Sequence, residues 1–345
     1  MRADVAIAGA SFAGLGLACH LRDSGLDVLL LDRKAIGEKR ASACGMPAYL
    51  ADGLAPASIL HRVGFFHIES GGFKRTVKLP EEYCVMDYRK FCSALFLRSN
   101  ARFMKANVTG ASEGGIMTSA GRVDADFIAD CTGWSRALSR KRAPKPARTF
   151  VGMEITAPVK EKYGQSLNFF IDKGTIPGYA WIFPIGGGLA HVGIGGFCAS
   201  TSLSRAFRRF LGKEQIEFTE NELTGGVIPC SGLGSPVEGD IFFVGDSACQ
   251  VLPLSGEGIR TTLSFSRACA SVIAKVSNKE MTMQEGLLSY EREVRRSSKG
   301  FKALELIQKG FLSLPQPIFD LLVFVTTTRP MDGIAARSYR SIARY

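Results

Sequence analysis

The stretch Val5-Ala6-Ile7-Ala8-Gly9-Ala10-Ser11-Phe12-Ala13-Gly14 lies near the start of a chain of 345 residues and decides its fold. Val5 to Ala8 is a short apolar run, typical of a buried parallel strand. Gly9 allows a tight turn, and Gly14 allows the following helix to pack close to the strand. The free N–H groups at the start of such a helix favour a pyrophosphate. The stretch therefore predicts a strand–turn–helix unit that binds a dinucleotide.

The glycine pattern departs at one position from the usual form, G-x-G-x-x-G. Ser11 stands where the middle glycine is expected, but it is small and can donate a hydrogen bond. A second apolar run, Val28–Leu31, leads directly into Asp32. Asp32 follows Gly9 by about 20 residues, the spacing at which an acid meets the ribose hydroxyls of a dinucleotide. The alternative is a plain βαβ unit whose glycines occur by chance.

The length predicts about two domains. The nine cysteines form no C-x-x-C pair, and the four histidines form no catalytic or metal-binding pattern. We therefore expect reduced thiols, a cytoplasmic protein and no metal site. We also expect no signal peptide, since the first strand begins at once, and no membrane-spanning segment, since no apolar run is long enough.

The charge balance is basic, with 43 Lys and Arg against 32 Asp and Glu and a net charge of +11. The positive residues cluster in 136–148, 205–209 and 292–302. No nucleic-acid recognition motif accompanies them, so we expect no nucleic-acid partner. An anionic membrane surface or a phosphorylated substrate fits better, and a solvated basic surface is the plain alternative.

Patterning along the rest of the chain predicts a mixed α/β protein. Residues 63–80 alternate around two glycines as a hairpin does, and 86–100 is typical of a helix. Residues 149–228 contain four strand-like runs and a helix over 201–211, which favours an antiparallel sheet. A buried strand returns near 241, and the last 70 or so residues are mainly helical.

Four segments resemble the geranylgeranyl reductase family of FAD-dependent oxidoreductases, which have the p-hydroxybenzoate-hydroxylase-like flavoprotein fold. They are Gly9–Gly14 with Asp32, Asp130–Ser135, Gly245–Ile259 and Pro177–Pro184. The last, Pro-Gly-Tyr-Ala-Trp-Ile-Phe-Pro, is similar to the family signature Pro-x-Tyr-x-Trp-x-Phe-Pro and is the most specific of the four. The resemblance covers the chain to about residue 275, and the helical remainder is shorter than in typical members.

The resemblance implies a discontinuous Rossmann-like FAD-binding domain, a second domain built on an antiparallel sheet, and a helical C-terminal region. We expect the first over 1–62, 84–145 and 226–275, the second over 63–83 and 146–225, and the last over 276–345. The basic stretch from Arg140 to Arg148, with two prolines, is typical of a linker between domains.

The resemblance also implies how FAD is held. It places Asp246 on the ribityl hydroxyls, and a helix beginning near Ile259 at the N1–C2=O edge of the flavin, where the helix dipole stabilises the anionic reduced ring. Arg40 and Arg89 would help to bind FAD, with surface arginines as the alternative. The predicted FAD-binding residues are Gly9, Ser11, Phe12, Ala13, Gly14, Asp32, Arg33, Arg40, Ala43, Cys44, Arg89, Thr132, Gly133, Gly245, Asp246, Pro253, Gly256, Gly258 and Ile259.

Tyr179, Trp181 and Phe183 are spaced two apart, so on a strand all three face one side. They are predicted to bind substrate as the floor of a channel for a long apolar molecule, or else to form part of a core. Cys44 precedes Gly45 as in a Cys-Gly that the family places near the flavin. Cys44, Tyr179 and Trp181 are the predicted catalytic residues, and an inert buried thiol is the alternative for Cys44.

The activity that the resemblance implies is the reduction of C=C bonds in a geranylgeranyl lipid, by hydride transfer from reduced flavin. An isolated alkene has no carbonyl to polarise, so orientation and exclusion of water must do much of the work. A phosphorylated lipid would suit the basic surface. The segment Phe311–Val325 would rest peripherally on the inner face of a membrane, or else form buried helices.

Only one dinucleotide fingerprint is visible, so the external reductant is either NAD(P)H that docks transiently or a ferredoxin-like protein. The main alternative activity is that of an FAD-dependent monooxygenase of the hydroxylase type, acting on an aromatic or lipid substrate. A flavin halogenase is a weaker alternative, and a non-catalytic FAD-containing electron carrier or lipid-binding protein is an alternative from another class.

Overall fold

A computed structural model describes residues 1–38, 42–140, 148–174, 178–197, 202–217 and 223–328. Its strands are β1 (Arg2–Ala8), β2 (Val28–Asp32), β3 (Gly45–Pro47), β4 (Ile59–Ser70), β5 (Phe73–Met86), β6 (Arg102–Lys105), β7 (Val108–Ser112), β8 (Gly115–Thr118), β9 (Gly121–Asp130), β10 (Thr149–Pro158), β11 (Ser166–Ile171), β12 (Gly178–Gly186), β13 (Leu189–Gly196), β14 (Thr224–Pro229), β15 (Val237–Glu238) and β16 (Ile241–Phe243). Its helices are α1 (Phe12–Leu21), α2 (Ala48–Leu54), α3 (Tyr88–Ser99), α4 (Ser202–Glu214), α5 (Ile259–Ser277), α6 (Met283–Arg296), α7 (Ser298–Ser313) and α8 (Gln316–Thr326). The mixed α/β class is confirmed.

The first of two eight-stranded sheets has the order β15-β16-β9-β1-β2-β6, with the β7–β8 hairpin attached to β9. Strands β2 and β9 pair parallel to β1, and β16 pairs parallel to β9. The strand β16 therefore joins the sheet after the chain has built the second sheet. Strands β16 and β1 are both apolar because both lie inside one parallel sheet.

Helices α1 and α5 pack against each other beside this sheet. Helix α1 is apolar almost throughout and buries eight of its ten residues. The Ser266 hydroxyl on α5 donates to the Ala13 carbonyl oxygen on α1 over 3.0 Å. This bond joins the start of the chain to residues some 250 positions later and fixes α5 next to the first glycine turn.

The second sheet has the order β14-β10-β13-β12-β11-β4-β5-β3. Its neighbouring strands are antiparallel except for β11 and β4, which run parallel. Helix α4 packs on one face, where Ile182 and Val192 meet Phe207 in a common cluster. The other face joins the core that continues into the first sheet, which makes this face the side on which a site between the sheets would lie.

Several elements extend beyond their predicted bounds, because strand pairing and helix capping determine where each strand and helix ends. The hairpin predicted over 63–80 runs from Ile59 to Met86, and the four predicted strands of 149–228 are β10 to β13. Helix α3 begins at Tyr88 since the Asp87 carboxylate accepts from the Lys90 backbone N–H over 3.0 Å. Helix α4 continues to Glu214.

The domain boundaries stay a prediction. Strand β3, the start of β4 and most of β14 come from segments expected in the first domain, yet they pair with strands of the second sheet. The linker residues 141–147 and the tail 329–345 lie outside the described residues. The described part of the C-terminal region is helical, as expected.

Candidate active site

The turn between β1 and α1 is closed by tight backbone contacts. Gly9 has a φ of +102°, and a Cβ atom there would lie closer than 3.0 Å to the Cys131 carbonyl oxygen at the end of β9. A Cβ on Gly14 would lie equally close to the Gly9 carbonyl oxygen. Both positions therefore require glycine, because backbone from the turn, the helix and β9 meets here without room for a side chain.

The N-terminus of α1 is open. Ser11 is the N-cap residue, but its side chain makes no capping hydrogen bond. Its hydroxyl instead lies 3.1 Å from the Tyr88 hydroxyl on α3. The Ser11 side chain therefore provides no acceptor for the first N–H groups of the helix. N–H groups in this position can bind a phosphate.

Asp32 lies beside this turn, at the end of β2. Its Oδ2 accepts from the Ala10 backbone N–H over 2.8 Å, and its Oδ1 accepts from the Lys34 backbone N–H over 2.9 Å. These two bonds fix the carboxylate at the edge of the turn while the residue stays partly exposed. Asp32 could thus accept hydrogen bonds from a ribose.

The second glycine turn follows β16 and lies directly against the first. Gly245 has a φ of +76°, and a Cβ there would lie 2.9 Å from the Ala13 side chain. The Gly245 N–H donates to Gln250 Oε1 over 2.7 Å, and Gln250 Nε2 donates to the Tyr290 hydroxyl over 3.1 Å. The structure therefore brings the two distant glycine turns together, and a buried polar pair that sequence reasoning missed supports the second.

Asp246 differs from the other acids near the site. Among the described residues its carboxylate has no hydrogen-bond or ion-pair partner, although Ser247 beside it donates to the Asp130 and Val244 carbonyl oxygens over 2.6 and 3.0 Å. Asp246 is partly open to solvent, yet protein surrounds it closely enough for burial to raise its pKa to about 6. A partly exposed carboxylate without a partner fits a ligand that offers hydroxyl groups.

Asp130 shapes the turn after β9 from within. Its Oδ1 accepts from the Thr132 backbone N–H and hydroxyl over 2.9 and 2.7 Å, and its Oδ2 accepts from the Leu138 N–H over 2.8 Å. Burial raises the pKa of Asp130, which is fully buried. The hydroxyl of Thr132 is thus used inside the turn, so Thr132 and Gly133 offer mainly backbone to a ligand.

The loop before α5 contacts the second sheet. Within this loop the Gly256 N–H donates to the Leu252 carbonyl oxygen over 2.9 Å. Gly258 is the N-cap residue of α5 and has no side chain. The Tyr179 hydroxyl donates to the Ser255 carbonyl oxygen over 2.7 Å. Helix α5 begins at Ile259, as expected, and its open N-terminus lies one residue after this loop.

The three aromatic residues of β12 lie on one face, as the spacing predicts. Tyr179, Trp181 and Phe183 join the core between the sheets, whereas the residues between them face α4. Phe169 on β11 lies between two of them, with its ring centroid 5.7 Å from Tyr179 and 5.2 Å from Phe183. Phe66 on β4 extends the row, 4.8 Å from Phe169. We call Tyr179, Phe183, Phe169 and Phe66 the aromatic row.

Glycines on β13 make room for large rings beside this row. A Cβ on Gly193 would lie closer than 3.0 Å to the Trp181 ring, and one on Gly195 would lie equally close to the Phe150 ring. The indole N–H of Trp181 donates to the buried Glu154 carboxylate over 2.7 Å. Trp181 is thus packed into the sheet, and this supports the core alternative for that residue.

Sequence comparison adds named relatives to this geometry. No family model matches the chain. It is 27% identical over 84% of its length to digeranylgeranylglycerophospholipid reductase 2 of Methanopyrus kandleri and covers 82% of that protein. It is 26% identical over 92% of its length to menaquinone reductase of Mycolicibacterium smegmatis and covers 88% of that protein. The chain is thus similar along most of its length to reductases of geranylgeranyl lipids.

Solved structures agree on the fold. A geranylgeranyl bacteriochlorophyll reductase-like protein from Thermoplasma acidophilum matches with a TM-score of 0.87 at 18% identity, over 99% of this chain and 95% of that one. The anhydrotetracycline hydroxylase OxyS from Streptomyces rimosus matches with a TM-score of 0.71 at 17% identity, over 99% of this chain and 76% of that one. The reductase-like and the hydroxylase proteins therefore share the architecture of this chain.

The loop that carries Cys44 reaches Phe183 of the aromatic row. Cys44 is fully buried with a φ of +60°, and its thiol donates to the Ser42 carbonyl oxygen over 3.1 Å. The Ala43 carbonyl oxygen lies 3.1 Å from Nδ1 of His191. A Cβ on Gly45 would lie 3.0 Å from the Phe183 ring. A non-glycine residue with positive φ is strained, and such strain is common at functional sites.

Two of the three predicted arginines lie among the described residues. Arg33 and Arg89 are exposed, and a Cβ on Gly37 would lie 2.9 Å from Cα of Arg89. The loop after β2 therefore packs on the start of α3. Arg40, like Pro177 of the signature, lies outside the described residues.

Two cavities lie on the opposite face of the second sheet. One of about 510 Å³ is lined by His67, Lys162 and Asn168, and one of about 350 Å³ by Phe170 and Arg209, with Glu69 in both. They are separated from the aromatic row by the sheet itself, because side chains alternate along β4. In the described part of the chain, no group of three or more His, Cys, Asp or Glu side chains could hold a metal ion.

Proposed function

We propose that the protein is an FAD-dependent oxidoreductase that reduces C=C bonds in the polyprenyl chain of a geranylgeranyl lipid. The observation that carries this proposal is the hydrogen bond from Tyr179 to Ser255, which sets the aromatic row against the loop that leads into α5. An apolar chain on the row would thus lie beside the loop where the flavin ring is expected. When bound, FAD supplies the hydride that is added to one alkene carbon.

The two glycine turns fit the cofactor. The open N-terminus of α1 would receive the pyrophosphate, and Asp32 would accept from the ribose hydroxyls. Asp246, which has no partner among the described residues, would accept from the ribityl hydroxyls and so recover the free energy lost on burial. The N-terminus of α5, after Gly258, would face the N1–C2=O edge of the ring. The other predicted FAD-binding residues keep their roles as part of this proposal.

The aromatic row would bind the substrate and keep water away from it. Phe66, Phe169 and Phe183 offer no hydrogen-bonding group, so a prenyl chain is held by burial and shape alone. Since the row is fixed by packing between two sheets, it can orient one double bond relative to the ring. Trp181 would act by supporting the row, because its N–H is bound to Glu154.

The second alkene carbon requires a proton. Burial raises the pKa of Tyr179, so its hydroxyl stays protonated and is the polar group that the row presents at the loop. The Cys44 thiol, on the loop that contacts Phe183, is the second candidate. The hydride and this proton together add two hydrogens across the bond, and the donor is reprotonated from solvent.

The names of the relatives support a prenyl lipid as the substrate class, and experiment must identify the lipid and the reductant. The Methanopyrus relative is named for a digeranylgeranyl glycerophospholipid and the Mycolicibacterium relative for menaquinone. We propose a prenyl lipid with a phosphorylated head group, which suits the net charge of +11, and NAD(P)H or a ferredoxin-like protein as reductant. We propose a cytoplasmic protein that works at the inner face of a membrane.

The test is anaerobic. The purified flavoprotein is reduced with dithionite, digeranylgeranylglycerophospholipid is added, and the absorbance of oxidised flavin is followed. We expect the absorbance to return and the lipid to gain the mass of two hydrogens for each bond, whereas the saturated lipid leaves the flavin reduced. If the flavin stays reduced without oxygen, and the lipid is hydroxylated once air is admitted, the protein is a monooxygenase and the proposal is wrong.

A further inference from the structure

Helix α8 exposes an uncharged apolar side. Ile318, Leu321, Leu322 and Val325 are 49%, 56%, 36% and 42% exposed. The one ionisable residue of the helix, Asp320, is buried on the opposite side and accepts from the Ser70 hydroxyl over 2.5 Å. Single exposed leucines are ordinary, but four large apolar residues on one side of an 11-residue helix indicate an interaction surface.

Helix α7, which precedes α8 in the chain, also exposes apolar side chains and adds positive charge. Leu306 and Ile307 are 63% and 41% exposed, and Lys299, Lys302 and Lys309 are exposed as well. Glu305, the acid of this helix, pairs with Lys309 at 2.8 Å. The exposed residues of the two helices, Lys299, Lys302, Leu306, Ile307, Lys309, Ile318, Leu321, Leu322 and Val325, are called the α7–α8 surface.

Arg75 adds a further cation beside α8. Its guanidinium carbon lies 4.7 Å from the centroid of the Phe324 ring, and the Phe73 ring lies 5.4 Å from the same ring. Cations thus flank an apolar strip, which is the composition of a helix that lies in the interface of an anionic bilayer.

The buried side of α8 leads to the aromatic row. Phe319 and Val323 form a cluster with Ile68 of β4, against which Phe66 packs. Phe66 is the outer end of the aromatic row, which continues to Tyr179 at the loop before α5. An apolar path of side chains therefore runs from the α7–α8 surface to the candidate site.

A polar network holds α8 in this position. Gln316 accepts from the Lys173 backbone N–H over 2.8 Å, and its side-chain amide donates to Asp320 and Ser70. The Lys173 ammonium donates to the Leu314 carbonyl oxygen over 2.7 Å and to that of Phe311. The turn between α7 and α8 is thus fixed to the segment that follows β11, so the exposed side of α8 is held outward.

We propose that the α7–α8 surface docks on an anionic lipid bilayer, and that the prenyl chain passes from the bilayer to the aromatic row along Phe319 and Phe66. This deepens the proposed function and rests on it for the identity of the chain that enters. In the described ranges no helix is long and apolar enough to cross a membrane. Helix α8, about 16 Å long, would lie in the plane of the interface.

A bilayer fits this surface better than a second copy of the chain does. In a two-fold dimer the same patch faces itself, and the α7–α8 surface as defined contains lysines but no acidic residue that could pair with them. Anionic lipid head groups instead pair with each of them, at about 1 kcal/mol for each cation near the surface. The charge pattern therefore selects the bilayer.

The test is co-sedimentation of the full-length flavoprotein with vesicles of phosphatidylglycerol and phosphatidylcholine. We expect binding to the mixed vesicles, weaker binding in high salt, and little binding to phosphatidylcholine alone. Leu321→Glu should weaken binding at least tenfold, and Lys302→Gln about fivefold. The matched control is Leu97→Glu on α3, whose leucine is 78% exposed and lies away from the surface; its binding should equal that of the wild type.

Three outcomes would overturn the inference. The first is a wild-type protein that does not bind the mixed vesicles, and the second is equal binding by the Leu321→Glu and Leu97→Glu variants. The third is a wild-type dimer that Leu321→Glu converts to a monomer without loss of vesicle binding, since the surface would then join two copies. A second assay, flavin reoxidation by a detergent-solubilised lipid, separates the two proposals. If no variant reoxidises its flavin, the proposed activity is rejected. Vesicle binding tests the α7–α8 surface alone.

Discussion

The β1–α1 turn and strand β13 both depend on glycine, but for different reasons. At the turn, Gly9 and Gly14 let backbone approach backbone, and a side chain at either position would strike a carbonyl oxygen. On β13, Gly193 and Gly195 lie under the rings of Trp181 and Phe150, so a side chain there would strike side chains. The turn, which we propose as the cofactor cradle, is built from backbone, whereas the strand makes room for an aromatic surface.

The largest effect is expected at the turn. Gly14→Ala should lower the free energy of unfolding by about 3–5 kcal/mol, because its Cβ meets a backbone oxygen that cannot move away. Chemical denaturation measures this change. In the matched control Gly53→Ala the new Cβ on α2 meets nothing within 4 Å, so stability should rise by about 0.5–1 kcal/mol. A loss at position 14 as small as 1 kcal/mol would show that the turn is not rigid.

A smaller effect is expected on β13, where rings can shift. Gly193→Ala should cost about 2–4 kcal/mol, since its Cβ collides with the Trp181 ring. In a Trp181→Ala background the same change should cost at least about 1 kcal/mol less, because the ring is gone. Thermal unfolding of the four proteins gives this coupling, with Gly110→Ala, where nothing lies within 4 Å, as a neutral control. Additive costs would mean that the ring and the glycine are independent.

Asp246 provides a pH-dependent test of the cradle. Burial raises its pKa to about 6 in the folded flavin-free protein, above the value of about 4 in an unfolded chain. The ionised carboxylate therefore costs stability above pH 6, and this cost disappears as the pH falls below about 4. Flavin-free Asp246→Asn should be more stable than the wild type by about 1–2 kcal/mol at pH 7 and equally stable at pH 4.

The same variant should bind FAD more weakly, because a carboxylate accepts hydroxyl hydrogen bonds better than an amide does. Asp23→Asn, at an exposed carboxylate, is the control and should change neither property by more than about 0.5 kcal/mol. A flavin-free Asp246→Asn protein that is less stable at pH 7 would mean that a protein partner holds the carboxylate.

The smallest effect is expected where the two regions meet. Tyr179→Phe removes the hydrogen bond to Ser255 and should cost about 1 kcal/mol. The loop before α5 would then be held less firmly, so FAD should dissociate several-fold faster in a stopped-flow dilution. Tyr49→Phe, at a residue 54% exposed, should change neither value. An unchanged dissociation rate would separate the aromatic row from the cofactor loop.

The sequence was a good guide where structure is local. The apolar run before Gly9 predicted a buried parallel strand, and the one before Gly245 predicted a buried strand. The period of two placed Tyr179, Trp181 and Phe183 on one face, because neighbouring residues determine such features. The start of α5 near Ile259 was also predicted. These elements position most of the candidate site.

Partners distant in sequence could not be predicted. Gln250 and Tyr290 are 40 residues apart, and Glu154 and Trp181 are 27 apart, so no local pattern joins them. A signal did exist for Asp130, since an acid that ends an apolar strand must find buried donors. Gly193 shows the limit most clearly, because its need for space depends on a ring from the neighbouring strand.

The most direct test of the central claim is photo-crosslinking with a geranylgeranyl phospholipid that carries a diazirine at the end of one prenyl chain. The lipid is bound to the flavoprotein, irradiated, and located by mass spectrometry of the peptides. We predict labels on β11 and β12, at Phe169, Tyr179 or Phe183. Labels confined to the opposite face of the sheet, around His67 and Lys162, would contradict the account.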